Sequence, residues 1–203
     1  KYESTAKIHF GGLYAIIQSC NRIFIMPKFN NLQQWLQGTP LGRHILKYEE
    51  VFYHNSVQNI FGYYAIQVGM PQINFLSGNK ISSHYIIDHD LKCDIRFLPF
   101  ASNSIDLIIC PHTLESTENY QYFLQECYRV LMPNGKIIIS NLNTKSLLGI
   151  FGQYNYSVLK QINHVSINSI QQQLNTLNFN ICGGKFFNYL PPINNNNYLK
   201  YLA

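Results

Sequence analysis

Apolar positions along the chain fall alternately into helical and strand-like patterns. Thr39-Pro40 is a helix start, because the threonine hydroxyl can cap free N–H groups and proline at the first helical position has no N–H to leave unpaired. Leu41, Ile45, Tyr48 and Phe52 then recur at helical spacing and predict a helix over Leu41 to Phe52. A strand is predicted at Tyr64 to Val68, ending at Gly69, and a second near Tyr85 to Ile87, ending in Asp88-His89-Asp90. The apolar run Ile105 to Cys110 fits a strand covered on both faces. From Asn119 to Leu131 the residues Phe123, Leu124, Cys127, Val130 and Leu131 share one helical face. Pro133-Asn134-Gly135 stops that helix, with Asn134 or Gly135 able to turn left-handed, and Lys136 to Ser140 forms another buried strand. Strand, helix and strand with short connections make a βαβ unit with an expected right-handed crossover, so the fold class is α/β. A helix is predicted over Ile167 to Leu177 and strand material over Phe179 to Leu190, before Pro191-Pro192 and the Asn194–Asn197 tract break regular structure.

Bulk properties narrow the reading. At 203 residues, 46% of them apolar, the chain is one domain's length and holds enough hydrophobic material for a core. The formal charge of +5 comes without any Lys/Arg-rich run, so a clustered nucleic-acid stripe is not expected. Five scattered cysteines (Cys20, Cys93, Cys110, Cys127, Cys182) contain no CxxC pair, which argues against a zinc ribbon or a disulfide framework and for a reducing cytoplasm. The stretch nearest to a membrane span, Ile8 to Met26, is interrupted by Gln18, Asn21 and Arg22 and lacks a small-residue cleavage site. Neither a span nor a signal peptide is expected. Residues 1–30 are read as an amino-terminal extension, with Met26 as an alternative natural start, and residues 31–203 as the folded domain.

The stretch from Asp94 through Leu98-Pro99-Phe100, Asp106, Pro111, His112 and Glu115 resembles the type 11 branch of the class I S-adenosylmethionine-dependent methyltransferases. Its continuation through Leu124, Glu126, Arg129-Val130-Leu131, Pro133 and Gly135 does so too. The flanks Trp35 to Arg43 and Ser140 to Gly149 are similar to a poorly characterised bacterial subgroup of that branch. The resemblance implies a doubly wound, mostly parallel Rossmann-like sheet of seven strands, the seventh antiparallel between the fifth and sixth. Here the sheet is expected to lack a complete seventh strand, unless Phe179 to Leu190 supplies a hairpin.

The same resemblance implies S-adenosylmethionine as cofactor, bound beyond the carboxyl ends of the strands. Gly69 matches the first glycine of the family's first-strand loop, although Met70 and Pro71 follow where further glycines usually stand. A plain turn glycine is the alternative. Asp88, or else Asp90, falls where the family's acid accepts from the ribose hydroxyls, with a solvated loop as the competing reading. Asp94 fits the residue that accepts from the adenine amino group, the alternative being a turn or capping aspartate. Phe97 and Leu98 are placed against the adenine or in the core. Pro111 lines the crevice, and Arg43 is placed to reach the cofactor carboxylate as a bidentate pair. His112, just after the fourth strand, is the candidate general base for a hydroxyl acceptor, with a hydrogen-bonded structural histidine as the alternative. Asp106, Glu126 and Arg129 are read as structural, and no metal site is expected.

The implied function is methyl transfer to a small or lipid-like acceptor, without nucleic acid and without a membrane span. The competing reading is a methyltransferase-fold binding module that does not turn over.

Overall fold

The computed structural model describes residues 6–10, 13–17, 27–143 and 145–186, with side chains from residue 31 onward. Cys20, Met26, residues 187–190 of the expected last strand, Pro191-Pro192 and the asparagine tract lie outside the described residues, as does most of the proposed extension.

A hairpin of β1 (Ala6–Phe10) and β2 (Leu13–Ile17) comes first, followed by α1 (Pro27–Gly38) and α2 (Pro40–Val57). Four parallel strands make the main sheet: β3 (Tyr64–Gln67), β4 (Ser83–Ile86), β5 (Ile105–Pro111) and β6 (Leu131–Ser140), in the order β4-β3-β5-β6. Between β5 and β6 run α3 (Thr113–Ser116) and α4 (Tyr120–Val130), and after β6 come α5 (Leu147–Asn155), α6 (Ser157–Gln161) and α7 (Ile167–Thr176).

The period-two geometry of the strands explains why helices cover both faces. Ala65, Leu107 and Ile109 face a core shared with Leu32 and Leu36 of α1, Ile45 and Tyr53 of α2, and Leu148 and Leu159 of α5 and α6. Their neighbours Ile66, Ile108 and Cys110 face the opposite core, with Phe123, Leu124 and Cys127 of α4 and Ile170 of α7. Rossmann-like winding follows from this alternation.

Helix α2 begins as expected, with the Thr39 hydroxyl accepting from Gly42 N at 3.0 Å. Its buried stripe, however, runs Leu41, Ile45, Glu49, Tyr53, and the expected Tyr48 and Phe52 are only half-buried. A stripe at four-residue spacing drifts across the helix face, and here it drifts through an acid.

Other departures lie at the edges. The expected terminal strand is not formed: residues 179–186 are irregular, and no strand pairs with the outer edge of β6 among the described residues. Asn134 takes the left-handed conformation at φ 65°, but within the irregular start of β6 and not as the cap of α4, which already ends at Leu131.

At the amino-terminal end of the sheet, Asp106 accepts from Tyr63 N at 2.8 Å and Tyr64 N at 3.0 Å, which aligns β3 beside β5. Gly62 makes room for this, since a Cβ there would lie 2.3 Å from the Asp106 carboxyl carbon. On the other side of β5, Arg129 donates to both Glu126 oxygens, at 2.8 and 2.7 Å, and to the carbonyls of Leu98 and Phe100, each at 2.9 Å. Glu126 in turn accepts from Leu98 N at 3.0 Å. The Leu98-Pro99-Phe100 loop is thus stapled to α4, as the structural reading of these residues expected.

Asp106→Ala should lower stability by about 1.5–3 kcal/mol, the usual worth of hydrogen bonds to a charged acceptor. Urea unfolding checks it; Asp106→Asn, which keeps one acceptor oxygen, should lose less.

Candidate active site

The candidate residues gather at the carboxyl ends of β3, β4, β5 and β6, where an open α/β sheet takes its ligands. At the end of β3, Gln67 is fully buried and organises the turn that follows. Its amide donates to the carbonyls of Gly69 (3.0 Å), Met70 (3.1 Å) and Ile73 (2.7 Å), and its oxygen accepts from Phe75 N at 3.0 Å. Gly69 sits at φ 104°, a conformation that favours glycine, and Met70 follows at φ 48°. The Met70 side chain is wholly buried in the core under α1 and α2. The missing glycine is therefore replaced by a residue whose bulk turns inward, with a buried glutamine holding the loop.

On the neighbouring strand, Asp88 lies two residues beyond the Gln67–Ile86 pair, level with Gly69. It is half-buried and left-handed, at φ 70°. Its carboxylate accepts no hydrogen bond from the described residues, and burial pushes its pKa above the usual carboxylate range, against the opposing pull of Lys92. Asp90 is different: one oxygen accepts from Ile86 N at 2.7 Å and the other lies 2.7 Å from His89 Nδ1. Between the two acids in position, Asp90 is used up in closing the turn and Asp88 is the one left open.

Asp94 is held by Arg96, whose guanidinium donates to both carboxylate oxygens at distances between 2.6 and 3.1 Å while its backbone N–H adds a fourth contact. These bonds, above all the side-chain one, keep the Asp94 carboxyl below its ordinary range. The Cys93 thiol, pushed up to about 12 by burial and by the charges of Asp88 and Asp94, feels both acids and stays protonated. Phe97 is 73% exposed, whereas Leu98 is buried in the core beneath α4. Arg43 donates to the carbonyls of Gln37 and Gly38, both at 3.2 Å, so in this structure it closes the end of α1. Pro111 ends β5, buried and paired with Ser140.

His112 occupies the centre of the fold. It adopts φ 53°, donates its backbone N–H to Ser140 O at 3.0 Å, and has no solvent exposure. Nδ1 lies 2.9 Å from Glu115 Oε2, in hydrogen-bond geometry. Nε2 lies 2.8 Å from Glu49 Oε1, a charge contact whose alignment falls outside that of a hydrogen bond. Burial by itself lowers the imidazole pKa, but the charges of Glu49 and Glu115 outweigh it and hold the ring well above its ordinary value. With both nitrogens facing carboxylates, the ring has no lone pair turned to a substrate hydroxyl.

Around this triad, the Tyr53 hydroxyl donates to Ser140 Oγ at 3.0 Å, the Thr113 hydroxyl donates to Val68 O, and Glu115 accepts from Leu142 N. The Gln33 amide, Trp35 Nε1, Glu49 Oε2 and the Asn141 amide are buried polar groups without a hydrogen-bond partner among the described residues. Trp35 itself packs edge-on against Tyr156, with ring centroids 5.2 Å apart. Gln67, Glu49 and Tyr53 were not singled out from the sequence, whereas Ser140 was expected among the residues lining the crevice. The available signal was positional: Glu49 and Tyr53 continue the spacing of Leu41 and Ile45.

Comparison with known proteins shows what the arrangement resembles. Residues 63–139, from the start of β3 into β6, match the family described as a methyltransferase domain. A crystal structure described as a SAM-dependent methyltransferase from Thermotoga maritima superposes with a TM-score of 0.57 at 15% identity, covering 74% of this chain and 80% of that one. The chain shares its fold with a class I methyltransferase, and its residues 63–139 resemble the methyltransferase domain family. Over 80 residues the chain is 28% identical to the ubiquinone/menaquinone biosynthesis C-methyltransferase UbiE of Blochmanniella floridana, covering 38% of this chain and 32% of that protein. An uncharacterised protein of Methanocaldococcus jannaschii is 33% identical over 73 residues, 36% of this chain and 32% of its own length. The chain thus spans between about a third and a half of the length of the curated relatives it matches. Within the matched stretch, Gly69 and Asp88 stand level at the ends of the two strands that precede the Leu98-Pro99-Phe100 loop, and the His112 ring faces Glu49 of α2.

The raised pKa of His112 has a sign that can be tested. Its contribution to stability is complete below the unfolded-state value of about 6.5 and is lost as the pH rises through the folded-state value. Urea midpoints should therefore fall from neutral towards alkaline pH more steeply in the wild type than in His112→Gln. That variant should also lose about 3–5 kcal/mol, because it leaves two buried carboxylates without their cation.

Proposed function

We propose that this chain transfers a methyl group from S-adenosylmethionine to a small, apolar acceptor. The observation that carries the reading is Asp88: a half-buried carboxylate, without a hydrogen bond among the described residues, level with the Gly69 turn on the adjacent strand. A carboxylate so placed can accept from two vicinal hydroxyls, the chemistry a ribose requires. A desolvated acceptor gains most when such donors arrive.

S-adenosylmethionine supplies a methyl group already activated on a sulfonium, so the protein's task is to bind and to align. In this reading Gly69 lets the backbone approach the cofactor, Asp88 takes the ribose, and the exposed Phe97 flanks the base while Leu98 stays in the core beneath α4. Asp94 stands at the adenine end, where an amino group competes with Arg96 for the carboxylate. Pro111 and Ser140 form the wall towards the acceptor. His112 holds that wall in place through Glu49 and Glu115, and the acceptor either needs no base or brings an acidic proton of its own. Arg43 reaches a cofactor carboxylate only after releasing the end of α1.

A small-metabolite acceptor is supported by the likeness to UbiE, a ubiquinone/menaquinone biosynthesis C-methyltransferase. Free Cys93, Cys110, Cys127 and Cys182 support a reducing cytoplasm as the compartment. Among the described residues no helix is long and apolar enough to cross a membrane, and no group of three or more metal-ligating side chains is assembled.

Calorimetric titration with S-adenosylhomocysteine should show micromolar binding, and Asp88→Ala should weaken it by about 1–3 kcal/mol. Asp94→Ala should weaken it less, because Arg96 already occupies that carboxylate. A folded protein that takes up no ligand at millimolar concentration would turn the reading to a binding module that does not turn over.

A further inference from the structure

The charge along the chain is divided in a way its total conceals. All ten acidic residues lie at or before Glu126; beyond it come only Arg129, Lys136, Lys145, Lys160, Lys185 and Lys200. Residues 127–203 therefore carry positive charge with no acid to offset it.

Within this part lies the most exposed apolar helix face among the described residues. In α5, Leu148 and Gly152 face inward and meet Leu159 of α6, closely enough that a Cβ on Gly152 would approach Leu159 to 2.7 Å. The opposite side carries Leu147, Ile150, Phe151 and Tyr154, spaced i, i+3, i+4, i+7, and these are between 47% and 80% exposed. One helix cannot bury both sides against the same neighbour. Exposed Lys145 precedes α5 and exposed Lys160 lies in α6, while the nine residues of α5 include no charged side chain. Ile167 and Phe186, also about half exposed, line a neighbouring cavity of about 120 Å³ together with Lys145.

We propose that this α5 face is a docking surface for an anionic lipid bilayer. Large apolar side chains on one face, with lysines beside them and no acids in the surrounding sequence, match the surface of such a membrane in both of its properties. The acyl boundary accepts Leu147, Ile150, Phe151 and Tyr154, and the headgroup charge attracts the lysines. A second copy of this chain would meet the same lysines across a two-fold contact, like charge against like, so the charge pattern favours lipid over self-association. A nucleic acid would match the charge but leave the aliphatic side chains unsatisfied. The inference goes beyond methyl transfer and does not depend on it, and its test needs no cofactor.

The test is co-flotation of the full 203-residue chain with vesicles of phosphatidylcholine alone or with about one-third phosphatidylglycerol. Binding should occur on the anionic vesicles and weaken as salt is raised. The double variant Ile150→Ser/Phe151→Ser should bind roughly tenfold or more weakly, with its thermal transition unchanged because both side chains are exposed. Lys145→Glu/Lys160→Glu, which leaves the apolar face intact, should lose the preference for anionic lipid. Absence of binding to anionic vesicles, or binding that neither variant alters, would overturn the proposal. So would a dimer of the wild type that the serine variant dissolves, since the face would then be covered by a second copy.

Discussion

The fold turns on one buried charge network, His112 between Glu49 and Glu115. It joins elements that are far apart in the sequence. Glu49 belongs to α2, His112 follows β5, and Glu115 lies in α3 and accepts from Leu142 beyond β6. Three ionisable groups taken out of water would be costly if any one stood alone, and they are tolerated because each carboxylate meets the same cation. The network ties α2 to the segment after β5 and, through Glu115, to the segment after β6. Tyr53 to Ser140 and Thr113 to Val68 add hydrogen bonds at the same end of the sheet.

With that end clamped, the crevice divides into two regions of unlike chemistry. Towards β4 the open acceptor is Asp88, and the turn beside it is shaped by Gln67 in place of a run of glycines. Towards β6 the His112 ring, Glu115, Tyr53 and Ser140 are engaged with one another, while the Asn141 amide is buried without a partner among the described residues. Such a division suits a reaction in which the reactive bond arrives on the cofactor and geometry supplies most of the acceleration. Further along the chain, α5 turns an apolar face outward in the part that lacks acids, so the region following β6 differs in character from the Asp88 side.

Much of this was legible in the sequence. Ile105 to Cys110 and Lys136 to Ser140 declared themselves as buried parallel strands, Thr39-Pro40 marked a helix start, and the pattern from Asp94 to Gly135 pointed to the family. These signals are local, or depend on motifs whose spacing survives in one dimension. The triad was not legible, because an acid at position 49 looks like any solvated helix residue until its partner arrives from 63 residues away. The same holds for Gln67, which replaces the function of missing glycines through a side chain. Residues 179–186 misled in the opposite direction: their apolar, β-prone composition reads as a strand, but a strand exists only when a neighbour supplies its hydrogen bonds.

The clamp at this end of the sheet requires His112 to be an imidazolium held by two carboxylates. Nitrogen-15 NMR of histidine-labelled protein reads this directly, because the two ring nitrogens resonate together when both are protonated and far apart in a neutral tautomer. At about pH 8, where an ordinary histidine is neutral, His112 should still show both nitrogens protonated. A neutral tautomer at that pH would contradict the account and return the His112 ring to the pool of candidate bases.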